Sequence, residues 1–495
     1  MENELLKKKT ASGLLWSFAD IFASQGIQFI VLMVLARLLA PEYFGLIGMV
    51  AVFITIGNSI IDSGFTQALI REKNVSQQDY STIFYFNLMM SILLYLLLYL
   101  TAPLISHFYG EKELIFIIRV LSIGLIINSF GIIQRVFLVK KINFKTQTKI
   151  NLIAALLSSL VAILLAIQEF GVWSLVAQTL IMQFTRTILL WIINKWMPIY
   201  SFSIQSFKKY FGFSSKLLVS GLIDTLFNNV FSIIIGRLYP AAQLGYYTNA
   251  TRLGDVITNS ITGALQRVTY PVLSSIKDDE TRLKNSFRKL IRTTTYLMFP
   301  IMIGLIAISD SLIPLIFGPN WFQSIIYFKL LCISGMLYPL HALNLNILQV
   351  KGRSDLFLKL EIIKKTLLSL LIVVSLYFSL GIIGLIGAAI ISSYVSLFIN
   401  AYYSAKEISY SITQQLKDLA PTFFIAIVMG CLVYIIGIIL PENLFAKLFL
   451  QLISGALLYL LISWLFKIKE FAMILEMIFQ FFTKLKQGKV RSRGA

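Results

Sequence analysis

The stretch RLLAPEYFG at residues 37–45 recurs as RLYPAAQLG at residues 237–245, with Arg, Leu and Gly in register. Two further pairs of segments are separated by nearly the same number of residues as this pair. Val139-Lys140 matches Val350-Lys351, and GVWSLV at 171–176 matches GIIGLI at 381–386. Three matches in order indicate two duplicated halves of six helices each, parallel in topology. Parallel repeats related by an axis along the membrane normal are a recurring transporter plan, with the substrate path between the halves.

Apolar stretches of membrane-spanning length dominate the chain. Hydrophobic residues make up 57% and charged residues 13%, against about 25% charged residues in a soluble domain, and the mean hydropathy is +0.81. A spanning helix needs about 20 apolar residues. The sequence therefore predicts an all-α, polytopic membrane protein with about fourteen transmembrane helices. The candidate spans are 11–39, 43–70, 80–103, 113–139, 149–168, 171–194, 210–238, 244–272, 289–313, 324–350, 357–379, 381–404, 418–440 and 444–466.

Lys and Arg concentrate in alternate linkers between these spans. Because cytoplasmic loops retain Lys and Arg, we expect both ends of the chain in the cytoplasm and two six-helix lobes around a central cavity. The mixed basic and apolar pattern near the end predicts an amphipathic surface helix and a basic tail. The expected division is 1–10 cytoplasmic N-terminus, 11–194 N-terminal lobe, 195–209 cytoplasmic linker, 210–404 C-terminal lobe, 405–466 two additional helices and 467–495 amphipathic helix and tail.

Several function classes are disfavoured by what the sequence lacks. Its only Gly-Lys pair is Gly488-Lys489, so there is no GxxxxGK[ST] phosphate loop and no ATPase motor is expected. HExxH, CxxC and clustered His/Asp metal sets are missing as well. We therefore expect no enzyme activity, cofactor or metal. The net charge of +20, spread over loops, favours anionic lipid head groups over nucleic acid as its partner.

Ionisable and amide side chains at membrane depth are the candidate site residues, because a central charge costs about 2.5–3.5 kcal/mol on insertion scales. After the basic ends are assigned, Arg186 and Arg252 remain inside the bilayer. An arginine fork suits phosphate because it binds two oxygens. The candidate substrate-binding residues are Arg186, Arg252, Arg37, Arg237, Arg119, Asn228 and Asn259, and the candidate ion-coupling residues are Asp62, Asp224, Asp255 and Asp20.

Alternative roles stay open for several of these residues. Arg252, Asp255 and Asn259 share one helix face by spacing. Arg252 and Asp255 form a local ion pair, or Arg252 faces an anionic head group in a water-filled cavity. Arg37 and Arg237 either snorkel to the interface or line an anionic exit path. Two polar pairs have i, i+4 spacing: Asn58 with Asp62 on the second helix, and Asp224 with Asn228 on the seventh. These pairs either join helices by hydrogen bonds or take part in ion coupling.

An ordered set of short motifs resembles bacterial polysaccharide flippases. These are the Wzx-type, WzxC-like transporters of the multidrug/oligosaccharidyl-lipid/polysaccharide (MOP) exporter superfamily. Each motif alone is weak, whereas the ordered set is fairly specific for the family and uninformative about the sugar. The motifs are ARLLAPEYFG at 36–45, DSGFTQALI at 62–70, FGVWSLV at 170–176, IGR at 235–237, LGYYTNA at 244–250 and FGPNW at 317–321.

The resemblance implies an alternating-access transporter with a cationic cavity. Such proteins move undecaprenyl-diphosphate-linked oligosaccharide from the cytoplasmic to the periplasmic or outer leaflet for O-antigen, capsule or exopolysaccharide synthesis. It implies residence in the bacterial cytoplasmic membrane. The implied partners are lipid-linked oligosaccharide, membrane lipids, and the polymerase and glycosyltransferases of the same pathway.

Three alternatives remain open from the sequence. An ion-coupled exporter of small cationic drugs would share the helix count but would need an acidic cavity, which Arg186 and Arg252 disfavour. A membrane glycosyltransferase or polymerase is disfavoured by the short linkers on the Lys/Arg-poor side. A passive lipid scramblase or a structural assembly partner is not separated from a flippase by any residue of the sequence.

Overall fold

The computed structural model describes residues 26–62, 64–440, 443–473 and Glu476. The predicted N-terminal segment 1–10, Asp20 and most of the predicted amphipathic helix and tail lie outside the described residues.

Within the described residues the chain is a succession of α-helices without a strand. The predicted all-α, polytopic membrane fold is thereby confirmed. The helices are α1 (Gly26–Leu38), α2 (Pro41–Asp62), α3 (Phe65–Arg71), α4 (Gln77–Tyr109), α5 (Leu114–Leu121), α6 (Ile123–Lys140), α7 (Phe144–Ile167), α8 (Val172–Asn194), α9 (Ile204–Leu238), α10 (Ala241–Ser275), α11 (Glu280–Phe317), α12 (Phe322–Gly335), α13 (Tyr338–Val350), α14 (Ser354–Tyr377), α15 (Gly381–Ile408), α16 (Ile412–Ile439) and α17 (Leu444–Leu465), with a 3-10 turn at Pro319–Trp321.

Polar caps fix where many helices begin. Ser76 and Asp79 form a capping box at the start of α4, and Ser411 forms one at the start of α16. Asn143 and Ser203 accept backbone N–H bonds at the starts of α7 and α9. Such caps satisfy backbone donors that have no partner within the helix.

The number of membrane crossings agrees with the predicted fourteen without establishing it. Eleven helical stretches are long and apolar enough to span a bilayer. In three of them the helix is interrupted near the middle or the end, as at Gly64, whose φ is 72°. Three others complete the pattern: the described part of α1 is shorter, α10 is long but more polar, and the apolar part of α14 is interrupted by Glu361, Lys364 and Lys365.

The structure divides into two compact units, Met1–Asn249 and Ala250–Ala495. In the first unit α8 packs on α6 and α7, and α2 packs on α9. In the second, α11 packs on α12, α16 and α17. The lobe boundaries expected from the sequence stay a prediction.

The two copies of the repeated motif meet at the starts of α2 and α10, within the first unit. A Cβ atom on Gly45 would collide with the carbonyl oxygen of Ala241, and one on Gly245 would collide with that of Pro41. The contact is therefore reciprocal, since each glycine meets the first residue of the other helix. Glycine is needed at both positions because its Cα hydrogens allow backbones to approach with C–H···O contacts.

Candidate substrate site

A polar cavity of about 220 Å³ lies inside the first unit. Three helices enclose it: α2, α6 and α8. Six of the eight residues that line it have polar side chains, and two of these are arginines. The lining residues are Asn58, Asn128, Gly131, Arg135, Gln183, Arg186, Thr187 and Leu190.

One face of α6 forms a wall of this cavity. Gly124, Asn128, Gly131 and Arg135 follow one another at spacings of four, three and four, which places them on the same side of a helix. The two glycines let α8 come close, since a Cβ on Gly131 would lie 3.1 Å from the Thr187 Oγ1 atom. Small residues at an interface bring the polar side chains of both helices together.

A chain of hydrogen bonds orients one of the two arginines. Arg135 donates from Nη2 to Asn128 Oδ1 at 2.8 Å. Asn128 in turn donates from Nδ2 to Asn58 Oδ1 on α2 at 2.7 Å. Thr187 on α8 donates to the Ile127 carbonyl oxygen of α6 at 3.1 Å. The Arg135 guanidinium is therefore held by Asn128 of its own helix, which is in turn anchored to α2.

The charges around this cavity are predominantly positive. Arg135 is subject to the like charge of Arg186 and to the opposite charge of Asp62. Two cations with one nearby anion leave a net positive field, and a low-dielectric interior strengthens that field. The cavity is therefore suited to an anionic group with several oxygen acceptors, because each arginine fork can bind two of them.

The predicted residues fall in different places. The structure brings Arg186 and Asp62 together near Arg135. Arg119 lies over the Tyr99 ring at 4.3 Å, and Arg237 lies over the Phe108 ring at 5.3 Å. The other candidates expose their side chains along α1, α9 and α10. These are Arg37, Asp224, Asn228, Arg252, Asp255 and Asn259. Their proposed roles stay predictions.

Arg135 was missed by sequence reasoning. It lies five residues before Lys140, so it was counted among the basic residues at the cytoplasmic end of the fourth predicted span and not among the charges at membrane depth. Its spacing from Asn128 and from the two glycines could have identified it, because that spacing places an arginine on a polar, closely packed face. Asn58, expected to join helices or assist coupling, does join α2 to α6.

A second set of polar side chains joins α13 to α15 in the other unit. His341 Nε2 lies 3.0 Å from Ser393 Oγ, and Asn400 Nδ2 lies 3.3 Å from His341 Nδ1. Nearby, Ser404 donates to Asn344 Oδ1 at 2.5 Å. Interhelical hydrogen bonds of this kind stabilise membrane helices.

No group of three or more His, Cys, Asp or Glu side chains suited to a metal ion occurs in the described part of the chain.

Comparison with known proteins agrees with this architecture. The family model described as "Polysaccharide biosynthesis protein" matches residues 34–326. The teichuronic acid biosynthesis protein TuaB of Bacillus subtilis is 27% identical over 92% of this chain and 95% of its own. The lipopolysaccharide biosynthesis protein WzxC of Escherichia coli is 25% identical over 89% and 90%.

A solved structure shares the fold. The lipid II flippase MurJ in its inward closed conformation superposes with a TM-score of 0.69, at 17% identity, over 92% of this chain and 98% of its own. The family match and these relatives confirm the resemblance to Wzx-type polysaccharide biosynthesis proteins, and the solved structure adds the shared fold. The chain belongs to the family of polysaccharide biosynthesis proteins.

Proposed function

We propose that this protein is a flippase that moves lipid-linked oligosaccharide of the undecaprenyl-diphosphate type across the membrane by alternating access. The transported glycan would then serve surface polysaccharide synthesis. The observation that carries the proposal is the cationic cavity, in which Arg135 and Arg186 stand among membrane-spanning helices. The names of the relatives, which refer to polysaccharide biosynthesis, support the same conclusion.

The energetics of the two arginines support an anionic substrate. On insertion scales an arginine at the bilayer centre costs about 2.5–3.5 kcal/mol, so about 5–7 kcal/mol is an upper limit for this pair, which lies nearer the helix ends. A polar cavity reduces that cost, and a bound diphosphate reduces it further by charge neutralisation. The substrate gains as well, because its diphosphate cannot cross about 30 Å of hydrocarbon unaided.

The size of the cavity limits which part of the substrate it holds. Ligand pockets for drug-sized molecules measure about 300–1,000 Å³, and this cavity measures about 220 Å³. A diphosphate with its flanking groups fits such a volume, whereas a complete oligosaccharide does not. The sugars therefore extend beyond the arginine cavity.

The position of the basic residues supports loading of the substrate from the cytoplasmic leaflet. Arg135 and Arg186 lie five and eight residues from the last residues of α6 and α8, at the ends that carry Lys140 and Lys195. By the positive-inside rule these ends face the cytoplasm. The protein would reside in the bacterial cytoplasmic membrane, with both ends of the chain inside, and load its substrate from the cytoplasmic leaflet.

A proteoliposome assay tests the proposal. The probe is an undecaprenyl-diphosphate-linked oligosaccharide with a fluorophore on its sugar, and dithionite bleaches only the outer leaflet. Each charge-assisted contact is worth about 1.5–3 kcal/mol, so Arg135→Ala and Arg186→Ala should each slow flipping by about 10- to 150-fold. Arg71→Ala is the matched control, because Arg71 lies outside the cavity, over the Phe213 ring at 5.1 Å.

Binding measurements separate the diphosphate from the lipid. Undecaprenyl diphosphate should bind the wild-type protein and lose affinity in both cavity variants, whereas undecaprenol should bind all forms alike. A double variant that flips the probe at the wild-type rate would exclude the arginines as substrate contacts. Transport of organic cations by a wild-type protein that leaves the lipid probe in place would instead establish drug export.

A further inference from the structure

A second cavity, of about 340 Å³, lies at the opposite ends of the same helices. It is formed where α2, α5 and α8 begin, at the Lys/Arg-poor side of the first unit. Its walls carry four aromatic rings and two carboxylates and no basic side chain. These six residues are Tyr43, Phe116, Phe170, Trp173, Glu113 and Glu169.

The tight turn between α7 and α8 builds one side of this cavity. Glu169 has a φ of 63° and Gly171 a φ of 55°, so both lie in the left-handed region. A Cβ on Gly171 would lie 3.0 Å from Cζ of Tyr43, so glycine allows the Tyr43 ring to lie across the turn. Glu169, Phe170 and Trp173 are consequently presented side by side.

Three of the four rings are exposed, those of Phe116, Phe170 and Trp173, whereas the Tyr43 ring lies against Gly171. In the described part of the chain, none of them packs against another aromatic ring. The aromatic side chains at the basic ends behave differently: Tyr80 packs on Phe137, and Phe84 packs on Trp191. Phe170 and Trp173 are 51% and 39% exposed. Exposed ring faces beside carboxylates suit a sugar, whose C–H groups stack on the rings while its hydroxyl groups donate to the carboxylates.

The charge of this end disfavours an acidic ligand. Glu113 and Glu169 line the cavity. The negative charges of Glu42 and Glu113 repel that of the neighbouring Glu111. Burial, together with these two carboxylates, raises the pKa of Glu111. A diphosphate or an acidic sugar would therefore meet repulsion here, in contrast to the arginine cavity.

The geometry of α8 separates the two cavities. Trp173 and Arg186 are thirteen residues apart on this helix. At 1.5 Å and 100° per residue, they lie about 20 Å apart along the axis and about 140° apart around it. The two cavities therefore open on different sides of α8 and take different parts of a substrate, or the same substrate at different steps.

We propose that the aromatic cavity is a binding subsite for the neutral sugars of the lipid-linked oligosaccharide at the exit side of the membrane. The proposal rests on the flippase function and adds where the glycan binds and which sugars it accepts. The volume of the aromatic cavity, about 340 Å³, lies within the range of about 300–1,000 Å³ for ligand pockets. It is larger than a small ammonium ion needs.

Lipid-free sugars test this subsite independently of flipping. The purified full-length protein is titrated with neutral trisaccharides of glucose, galactose and N-acetylglucosamine, and with trigalacturonate, and binding is followed by calorimetry. We expect at least one neutral trisaccharide to bind, and trigalacturonate to bind at least tenfold more weakly. Trp173→Ala should weaken binding of the neutral trisaccharide about tenfold. Glu169→Gln should reduce the difference in affinity between neutral and acidic trisaccharides.

Matched variants distinguish stacking from membrane anchoring. Trp464 is 63% exposed on α17, so Trp464→Ala removes an exposed tryptophan elsewhere and should leave sugar binding unchanged. Trp173→Ala should keep wild-type affinity for undecaprenyl diphosphate. The subsite is overturned if no neutral trisaccharide binds, if Trp173→Ala binds it like the wild type, or if tetramethylammonium binds in its place. A failure of the flippase function would show instead as wild-type protein that does not flip the lipid probe.

Discussion

Replacing Gly45 with alanine tests the contact between the two copies of the repeated motif. The new Cβ would collide with the carbonyl oxygen of Ala241 and lie 2.5 Å from its carbonyl carbon. Both are backbone atoms, so no side-chain rotation relieves the collision. The starts of α2 and α10 must separate by about 1 Å to restore an ordinary carbon–carbon contact of about 3.5–4.0 Å.

The free energy of unfolding should fall in consequence. Overpacking costs about 1–3 kcal/mol, and the loss of two C–H···O contacts adds about 1 kcal/mol. Alanine also regains helix propensity of about 1 kcal/mol relative to glycine. Gly212→Ala on α9 gains the same propensity without a collision, since nothing lies within 4 Å of its Cβ. Gly45→Ala should therefore be about 2–4 kcal/mol less stable than this control.

The measurement is thermal unfolding of purified protein in detergent, followed by tryptophan fluorescence. At about 2 °C per kcal/mol for cooperative unfolding of a unit of this size, the Tm of Gly45→Ala should lie about 4–8 °C below that of Gly212→Ala. Gly245→Ala should behave like Gly45→Ala, because its Cβ would collide with the Pro41 carbonyl oxygen. In the double variant the second alanine should cost little, since the first has already separated the helices. Strictly additive losses, or a Tm equal to that of the control, would refute a shared reciprocal contact.

Three further perturbations have directions fixed by the structure. Asn128→Leu removes the acceptor of Arg135 and should weaken undecaprenyl diphosphate binding by about tenfold in a titration, whereas unchanged affinity would show that the hydrogen bond does not orient the guanidinium. Asp418→Asn breaks an ion pair in which Arg288 donates two hydrogen bonds to the carboxylate. Because the Arg288 side chain is 47% exposed and regains water, the free energy of unfolding should fall by only about 1–3 kcal/mol, as measured by thermal unfolding. The pKa of Glu111 is raised by burial and by neighbouring carboxylates. The folded protein therefore binds this proton more readily than the unfolded chain, and stability should fall as pH rises through that pKa. Glu111→Gln should raise the Tm at pH 7 and reduce its pH dependence above the ordinary glutamate pKa of about 4.3, and an unchanged pH profile would contradict this reasoning.

Hydropathy located the helices well because the bilayer imposes both length and polarity. It could not locate their polar ends. The span predicted at 289–313 is part of α11, which runs from Glu280 to Phe317. The extra turns at the start contain Arg282, Lys284 and Arg288, and Asp279 caps them. Once a helix leaves the apolar layer, capping and packing decide its length, and a hydropathy window does not register either.

The arginines of the candidate site also differ in how far the sequence alone could identify them. Arg186 stands alone in an apolar helix, so its sequence context was enough to select it. Arg135 lies close to Lys140, and only its contact with Asn128 separates it from the basic helix end. The decisive information is the close approach of α6 and α8 at Gly124 and Gly131. The local spacing places Arg135 on the helix face of Asn128 and the two glycines. Which helix packs on that face depends on a partner about sixty residues away, so no local pattern could establish the cavity itself.

The positions of the two cavities would give the proposed transport direction an electrostatic basis. The positive cavity near the basic ends of α6 and α8 would attract a diphosphate on that side of the membrane. An acidic, aromatic cavity at the start of α8 repels that diphosphate but accepts hydroxyl groups. Since the sites lie about 20 Å apart on different sides of one helix, occupying the first with undecaprenyl diphosphate should leave the affinity of the second for a neutral sugar unchanged. Competition between the two ligands would mean that both enter a single chamber, and the division between phosphate and sugar would then be wrong.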